Sequence, residues 1–103
     1  MPVGQVTSVA SVEDLPPGTA RIVQAGDAEI ALFHCGDGFH ATQAHCLHLG
    51  GPLWQGRLEG CILSCPWHGW QYDVRTGENE FDRALKLETY EVVVEDGEVK
   101  VVL

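Results

Sequence analysis

The chain has 103 residues and a mass of 11.2 kDa, which allows one domain over 1–103 and leaves no room for a second core. With 45% hydrophobic and 20% charged residues it is globular rather than disordered. Its formal charge is −9, and its bases (Arg21, Arg57, Arg75, Arg83, Lys86 and Lys100) are scattered, which excludes a nucleic-acid or anionic-lipid surface. There is no apolar run long enough to span a membrane. The opening Met1-Pro2-Val3-Gly4-Gln5 has neither the basic nor the apolar region of a secretory signal. These features predict a cytoplasmic protein, whose four cysteines serve as metal ligands or free thiols rather than disulfides.

In chain order, Ser11-Val12-Glu13-Asp14 pairs a capping hydroxyl with an acid three positions on, and predicts one helical turn. Leu15 and the Pro16-Pro17-Gly18 turn end it. Thr19–Gln24 and Ala28–Phe33 flank Ala25-Gly26-Asp27 and predict a hairpin. Gly36-Asp37-Gly38 turns the chain into a strand over Phe39–Gln43. Short strands are expected at Cys61–Ser64 and Gln71–Val74, between glycine turns. Asp96-Gly97 suits a two-residue type I′ turn. Folding there sets Val94 opposite Val99, Val92 opposite Val101 and Tyr90 opposite Leu103, all on one face. Glu95 then faces Glu98 beside the turn. Many short strands and frequent turns predict an all-β sandwich or barrel. The acids Glu78, Glu80, Asp82, Glu88, Glu91, Glu95, Asp96 and Glu98 crowd the last quarter. They form either a solvated face or a surface that steers docking onto a basic partner.

Two patches break the strand pattern. His45-Cys46-Leu47-His48-Leu49-Gly50-Gly51-Pro52 and Cys65-Pro66-Trp67-His68-Gly69-Trp70 each set a Cys and a His inside a Gly/Pro turn. Thiolate and imidazole are ligands for soft or borderline metals, and glycine lets the backbone approach closely. A Cys₂His₂ zinc site, the staple of an interaction module, is one reading. Zinc motifs, however, pair Cys with Cys and His with His, whereas here each loop carries one of each. That interleaving lets two loops give both thiolates to one metal and both imidazoles to another, the ligation of a Rieske [2Fe–2S] centre.

The run from Cys46 to Leu53, the run from Cys65 to Asp73, and Thr76-Gly77 closely resemble the Rieske-type ferredoxins. The resemblance extends over the Glu13–Gly18 segment and the closing hairpin, and so over essentially the whole chain. It implies a Rieske fold: an antiparallel β-sandwich with a cluster-binding lobe made by the two loops. It implies one [2Fe–2S] cluster per chain, with Cys46 and Cys65 on the buried iron and His48 and His68 on the outer iron. Two ferric ions, two sulfides and two thiolates carry no net charge, so one electron makes the cluster formally anionic. Loop N–H groups pointing at sulfur stabilise that state. The resemblance further implies a soluble electron carrier, not an enzyme. It would take electrons from an NAD(P)H-dependent flavoprotein reductase and pass them to a terminal oxygenase of the aromatic-ring-hydroxylating type. The small Rieske subunit of an assimilatory nitrite reductase is the alternative. An oxygenase itself needs a separate mononuclear iron site, for which a chain of this length has no room.

The chain departs from the high-potential members of the family. Their extra loop cysteines correspond to Gly51 and Trp67 here, and Cys35 and Cys61 stand elsewhere, so both are expected as free thiols. Their serine donor corresponds to Trp70, whereas their tyrosine donor is retained as Tyr72. A third loop, often proline-containing, corresponds to Phe81-Asp82-Arg83-Ala84 and receives no role. His34, His40 and His45 are expected as ordinary surface or loop histidines, and Trp54, Trp67 and Trp70 as packing and shielding groups.

Overall fold

The computed structural model describes residues 6–36, 38–47, 50–67 and 69–102. Their strands are β1 (Val6–Ser11), β2 (Thr19–Ala25), β3 (Ala28–Cys35), β4 (Gly38–Gln43), β5 (Arg57–Glu59), β6 (Ile62–Ser64), β7 (Gln71–Asp73), β8 (Thr89–Glu95) and β9 (Glu98–Val102). Two single 3₁₀ turns, Val12–Asp14 and Leu53–Gln55, are the only helical elements among the described residues. Every pairing is antiparallel, in a six-stranded sheet ordered β1-β9-β8-β4-β3-β2 and a three-stranded sheet ordered β5-β6-β7. The larger sheet curls until its edges β1 and β2 touch. The expected all-β, two-sheet architecture is therefore the observed one.

β3 is the spine. Ile30, Ala31, Leu32 and Phe33 are all fully buried, so both faces of this strand are covered. Alternation sends Ile30 and Leu32 into a core with Leu15, Val23, Ala25, Ala41, Val99 and Val101, enclosed by the curl of the larger sheet. The same alternation sends Ala31, Phe33 and Cys35 into a second core with Cys46, Leu53, Leu63, Cys65, Tyr72, Val74 and Leu87, under the smaller sheet. Leu63 and Tyr72 are cross-strand partners on β6 and β7, and both are completely buried. Burial of each large apolar side chain contributes roughly 1.5–3 kcal/mol.

The local expectations largely match. Ser11 caps the first 3₁₀ turn, its hydroxyl accepting from Glu13 N–H while Asp14 accepts from Ser11 N–H. The β8–β9 hairpin pairs Val94 with Val99, Val92 with Val101 and Glu95 with Glu98. Asp96 and Gly97 adopt φ of 53° and 78°, as a type I′ turn requires. The expected partner of Tyr90, Leu103, lies outside the described residues. Strands β1 and β5 were not expected from the sequence. β5 has three residues, Arg57-Leu58-Glu59, and is held by register with β6 rather than by propensity.

Candidate metal centre

The first loop, between β4 and the second 3₁₀ turn, closes on itself. Cys46 N–H donates to Gly51 O at 2.7 Å, Gly50 N–H to Cys46 O at 3.1 Å, and Leu53 N–H to Ala44 O at 3.0 Å. The second loop caps the β6–β7 hairpin, where Cys65 N–H donates to Trp70 O at 2.7 Å. The loops interlock at Gly51. A Cβ there would lie 2.8 Å from Cys65 Sγ and 3.1 Å from Trp67 Cγ, so the crossing admits only glycine without movement.

The two loops thus bring Cys46 and Cys65 together as buried cysteines outside the disulfide, 4% and 2% exposed. Burial pushes the Cys65 thiol up and the neighbouring Cys46 adds to it, while a hydrogen bond from the Trp67 backbone acts the other way. The Tyr72 hydroxyl lies 3.2 Å from Cys46 Sγ, realising the donor position expected from the sequence. Tyr72 is itself completely buried. Burial, followed by its bonding and charge interactions with Cys46, raises its hydroxyl well above the usual phenol range. The amide of Asn79 acts in the opposite direction.

Two adjacent buried sulfurs with a hydroxyl aimed at one of them suit the inner half of a metal–sulfur cluster: on binding, the thiol protons leave and thiolate replaces them. His48 and His68, the expected outer pair, lie outside the described residues. Around this end of the molecule Leu47 and Trp67 are 44% and 47% exposed, whereas Trp54 and Trp70 pack against the core beneath the smaller sheet.

Cys35 and Cys61 are not the free thiols expected from the sequence. They form a disulfide with a Cα–Cα separation of 5.1 Å, linking the end of β3 to the β5–β6 turn. The topology brings together two residues 26 positions apart, which local sequence does not reveal. His40 stands beside the bridge, its ring nitrogen and both sulfurs lying within 4.8 Å of one another. Disulfide sulfurs carry no thiolate, so in this state the trio is not a competing ligand set. The other two histidines have structural contacts. His34 Nδ1 is 2.7 Å from Leu15 O and its ring stacks on Phe39, while His45 meets Trp54 edge to face.

Residues 5–91 match the family model of the Rieske [2Fe–2S] domain. The chain is 38% identical over 95 residues to ferredoxin CarAc of Metapseudomonas resinovorans, covering 90% of this chain and 89% of that protein. Its fold superposes with a TM-score of 0.85 on a chain from a complex of reduced oxygenase and oxidised ferredoxin in carbazole 1,9a-dioxygenase. That chain is 36% identical, with 94% of this chain and 92% of that one covered. The ferredoxin of carbazole 1,9a-dioxygenase from Nocardioides aromaticivorans gives a TM-score of 0.87 at 28% identity, with 94% and 96% covered.

Proposed function

Because the chain belongs to the Rieske [2Fe–2S] domain family, we propose that it is a one-electron carrier for a terminal oxygenase of the aromatic-ring-hydroxylating type. A flavoprotein reductase that oxidises NAD(P)H supplies the electron, in the cytoplasm. Cys46 and Cys65 would hold the cluster through their sulfurs, and His48 and His68 through their imidazoles. The bound cluster supplies a centre that takes and releases a single electron.

The chain's own groups make that exchange easy. Buried thiolates in two interlocked loops restrain ligand movement, and Pro52 and Pro66 stiffen the same loops. With Cys46 a thiolate ligand, the Tyr72 hydroxyl 3.2 Å away can only donate to its sulfur, which favours the more negative, reduced state. Leu47 and Trp67 present apolar surface where a partner must approach. The observation that carries this reading is the pair of buried cysteine sulfurs brought together where the loops cross at Gly51, with the Tyr72 hydroxyl 3.2 Å from Cys46 Sγ.

The purified protein is expected to contain iron and acid-labile sulfide in equal amounts, matching one cluster per chain. Cys46→Ser or His68→Ala should remove both and lower stability, since binding is coupled to folding. After chemical reduction, the protein should be reoxidised by a ring-hydroxylating terminal oxygenase in a single turnover. Bound zinc without labile sulfide would overturn the cluster assignment. Failure to reoxidise on addition of such oxygenases would overturn the partner.

A further inference from the structure

The segment after β7 carries a buried polar side chain, Asn79, paired across from Tyr72. Residues 78–80 return antiparallel to β7, with Asp73 N–H donating to Glu78 O at 2.9 Å and Glu80 N–H to Gln71 O at 2.8 Å. These two bonds flank Tyr72 and Asn79, which form an isolated bridge. The pair is therefore of the non-hydrogen-bonded type, in which the two side chains stand on the same face at their closest spacing. Asn79 is only 2% exposed.

The orientation of its amide is determined at the other end. Asn79 Oδ1 accepts from Phe81 N–H at 2.8 Å and from Asp82 N–H at 3.0 Å. Turning the amide over would set its own N–H group against two N–H donors. Nδ2 is thus directed away from the turn, sealed from solvent, and meets no hydrogen-bonding partner among the described residues. A buried donor without a partner in a native protein calls for a physical reason. The nearest acceptor that the pairing provides is the Tyr72 hydroxyl oxygen, whose other neighbour is Cys46 Sγ at 3.2 Å.

We propose that Asn79 is a positioning residue for electron transfer: its buried N–H faces the oxygen of Tyr72, so that the phenol's own hydrogen is committed to the sulfur of Cys46. This rests on Cys46 being a cluster ligand. With Asn79 N–H on one side, the phenol gains nothing by rotating its hydrogen away from sulfur. The Asn79 N–H dipole and a Tyr72 O–H donated to Cys46 also point in the same sense, so each reinforces the other. As negative charge grows on sulfur during reduction, this reinforcement strengthens, so Asn79 favours the reduced protein without touching the cluster.

The test is the reduction potential of Asn79→Leu, which keeps the side-chain size and removes the donor. The reduction equilibrium should fall about threefold, close to 28 mV at 59 mV per tenfold change for one electron. In a Tyr72→Phe background the same substitution should leave the potential unchanged, because an effect carried by the hydroxyl disappears with it. Asn79→Asp, which keeps the acceptor for Phe81 and Asp82, serves if the Leu variant does not fold. Its drop should be larger with Tyr72 present than with Phe at that position. A wild-type potential in the Leu variant, or an equal drop in both backgrounds, overturns the proposal. Iron and sulfide counts are read first. A wild-type chain without a cluster overturns the carrier assignment together with this one, whereas a loaded chain with an unmoved potential overturns this one alone.

Discussion

The two cores share the strand β3 and differ in what they bury. The one inside the curled six-stranded sheet is hydrocarbon throughout: Leu15, Val23, Ala25, Ile30, Leu32, Ala41, Val99 and Val101. The one under the three-stranded sheet mixes Phe33, Leu53, Leu63, Val74 and Leu87 with sulfur and a phenol, from Cys35, Cys46, Cys65 and Tyr72. The difference follows from size. β2 and β3 pair over seven positions, enough to zip a sheet by burial alone. β5, β6 and β7 have three residues each, and so few strand residues hold poorly without additional links. The smaller sheet gains one such link from the Cys35–Cys61 disulfide, and a cluster held as proposed would supply another. One half of the molecule is a hydrocarbon scaffold, and the other sets sulfur and a phenol into its core.

Neighbouring residues on β3 sharpen this contrast most. Leu32→Ala and Phe33→Ala each empty a fully buried site, and they should cost roughly 2–5 and 3–5 kcal/mol in turn. Only Phe33 faces the core that contains Cys46 and Cys65. Denaturant unfolding should therefore show comparable losses, while the visible circular dichroism of the cluster changes in the Phe33 variant alone. Equal spectral change in both would mean that the two cores are not separate units.

The disulfide comes next in size. The chain-entropy model gives about 3.5 kcal/mol for closing a loop over the 26-residue separation of Cys35 and Cys61. In Cys61→Ser, hydrogen exchange should speed up in β5, β6 and β7 more than in β2 and β3, because the lost link tethers the smaller sheet. Uniform acceleration would show that the bridge stabilises the molecule as a whole, and unchanged stability would show that it contributes nothing.

The same contrast explains what was legible in the sequence. Local rules are written in adjacent residues, so the Asp96-Gly97 turn, the register of Val92 and Val94, and the Ser11 cap could all be read directly. The two loops were legible because ligand chemistry restricts residue types at short spacing. Tyr72 was legible as a donor, although only the fold shows its hydroxyl 3.2 Å from Cys46 Sγ. The disulfide was not legible, since nothing near Cys35 or Cys61 says that β3 ends against the β5–β6 turn. Asn79 was hidden for the same reason: its side chain gains meaning only from the return of residues 78–80 along β7. Strand β1, exposed in part along a sheet edge, has too little burial to leave a clear alternating pattern.

The smallest expected effect concerns charge at the edge of the three-stranded sheet. Asp73 Oδ1 accepts from Arg75 N–H at 2.9 Å and from Arg75 Nε–H at 3.0 Å, and Oδ2 accepts from Nη2–H at 2.9 Å. Hydrogen bonding from the Arg75 side chain holds the Asp73 carboxyl below its usual range; burial opposes this, and the charges of Arg75 and His40 assist it. A carboxylate with a lowered folded pKa adds stability above its unfolded value, near 3.9, and loses it as pH falls through the folded value. Half of the Arg75 side chain is open to solvent, so screening limits the pair to roughly 0.2–1 kcal/mol. Asp73→Asn should accordingly be less stable than wild type at pH 7, and the two stability curves should converge as pH falls below the unfolded carboxylate value. The six-stranded sheet has its own surface pair, Lys100 Nζ to Glu95 Oε1 at 3.2 Å, between side chains 25% and 59% exposed. It lacks the backbone bond that ties Asp73 to Arg75, so Lys100→Ala should change stability less than Asp73→Asn at pH 7. Urea titrations of the three proteins between pH 7 and pH 2 measure both differences. A gap between wild type and the Asp73 variant that stays constant over that range would mean that shape, not charge, is what Asp73 contributes.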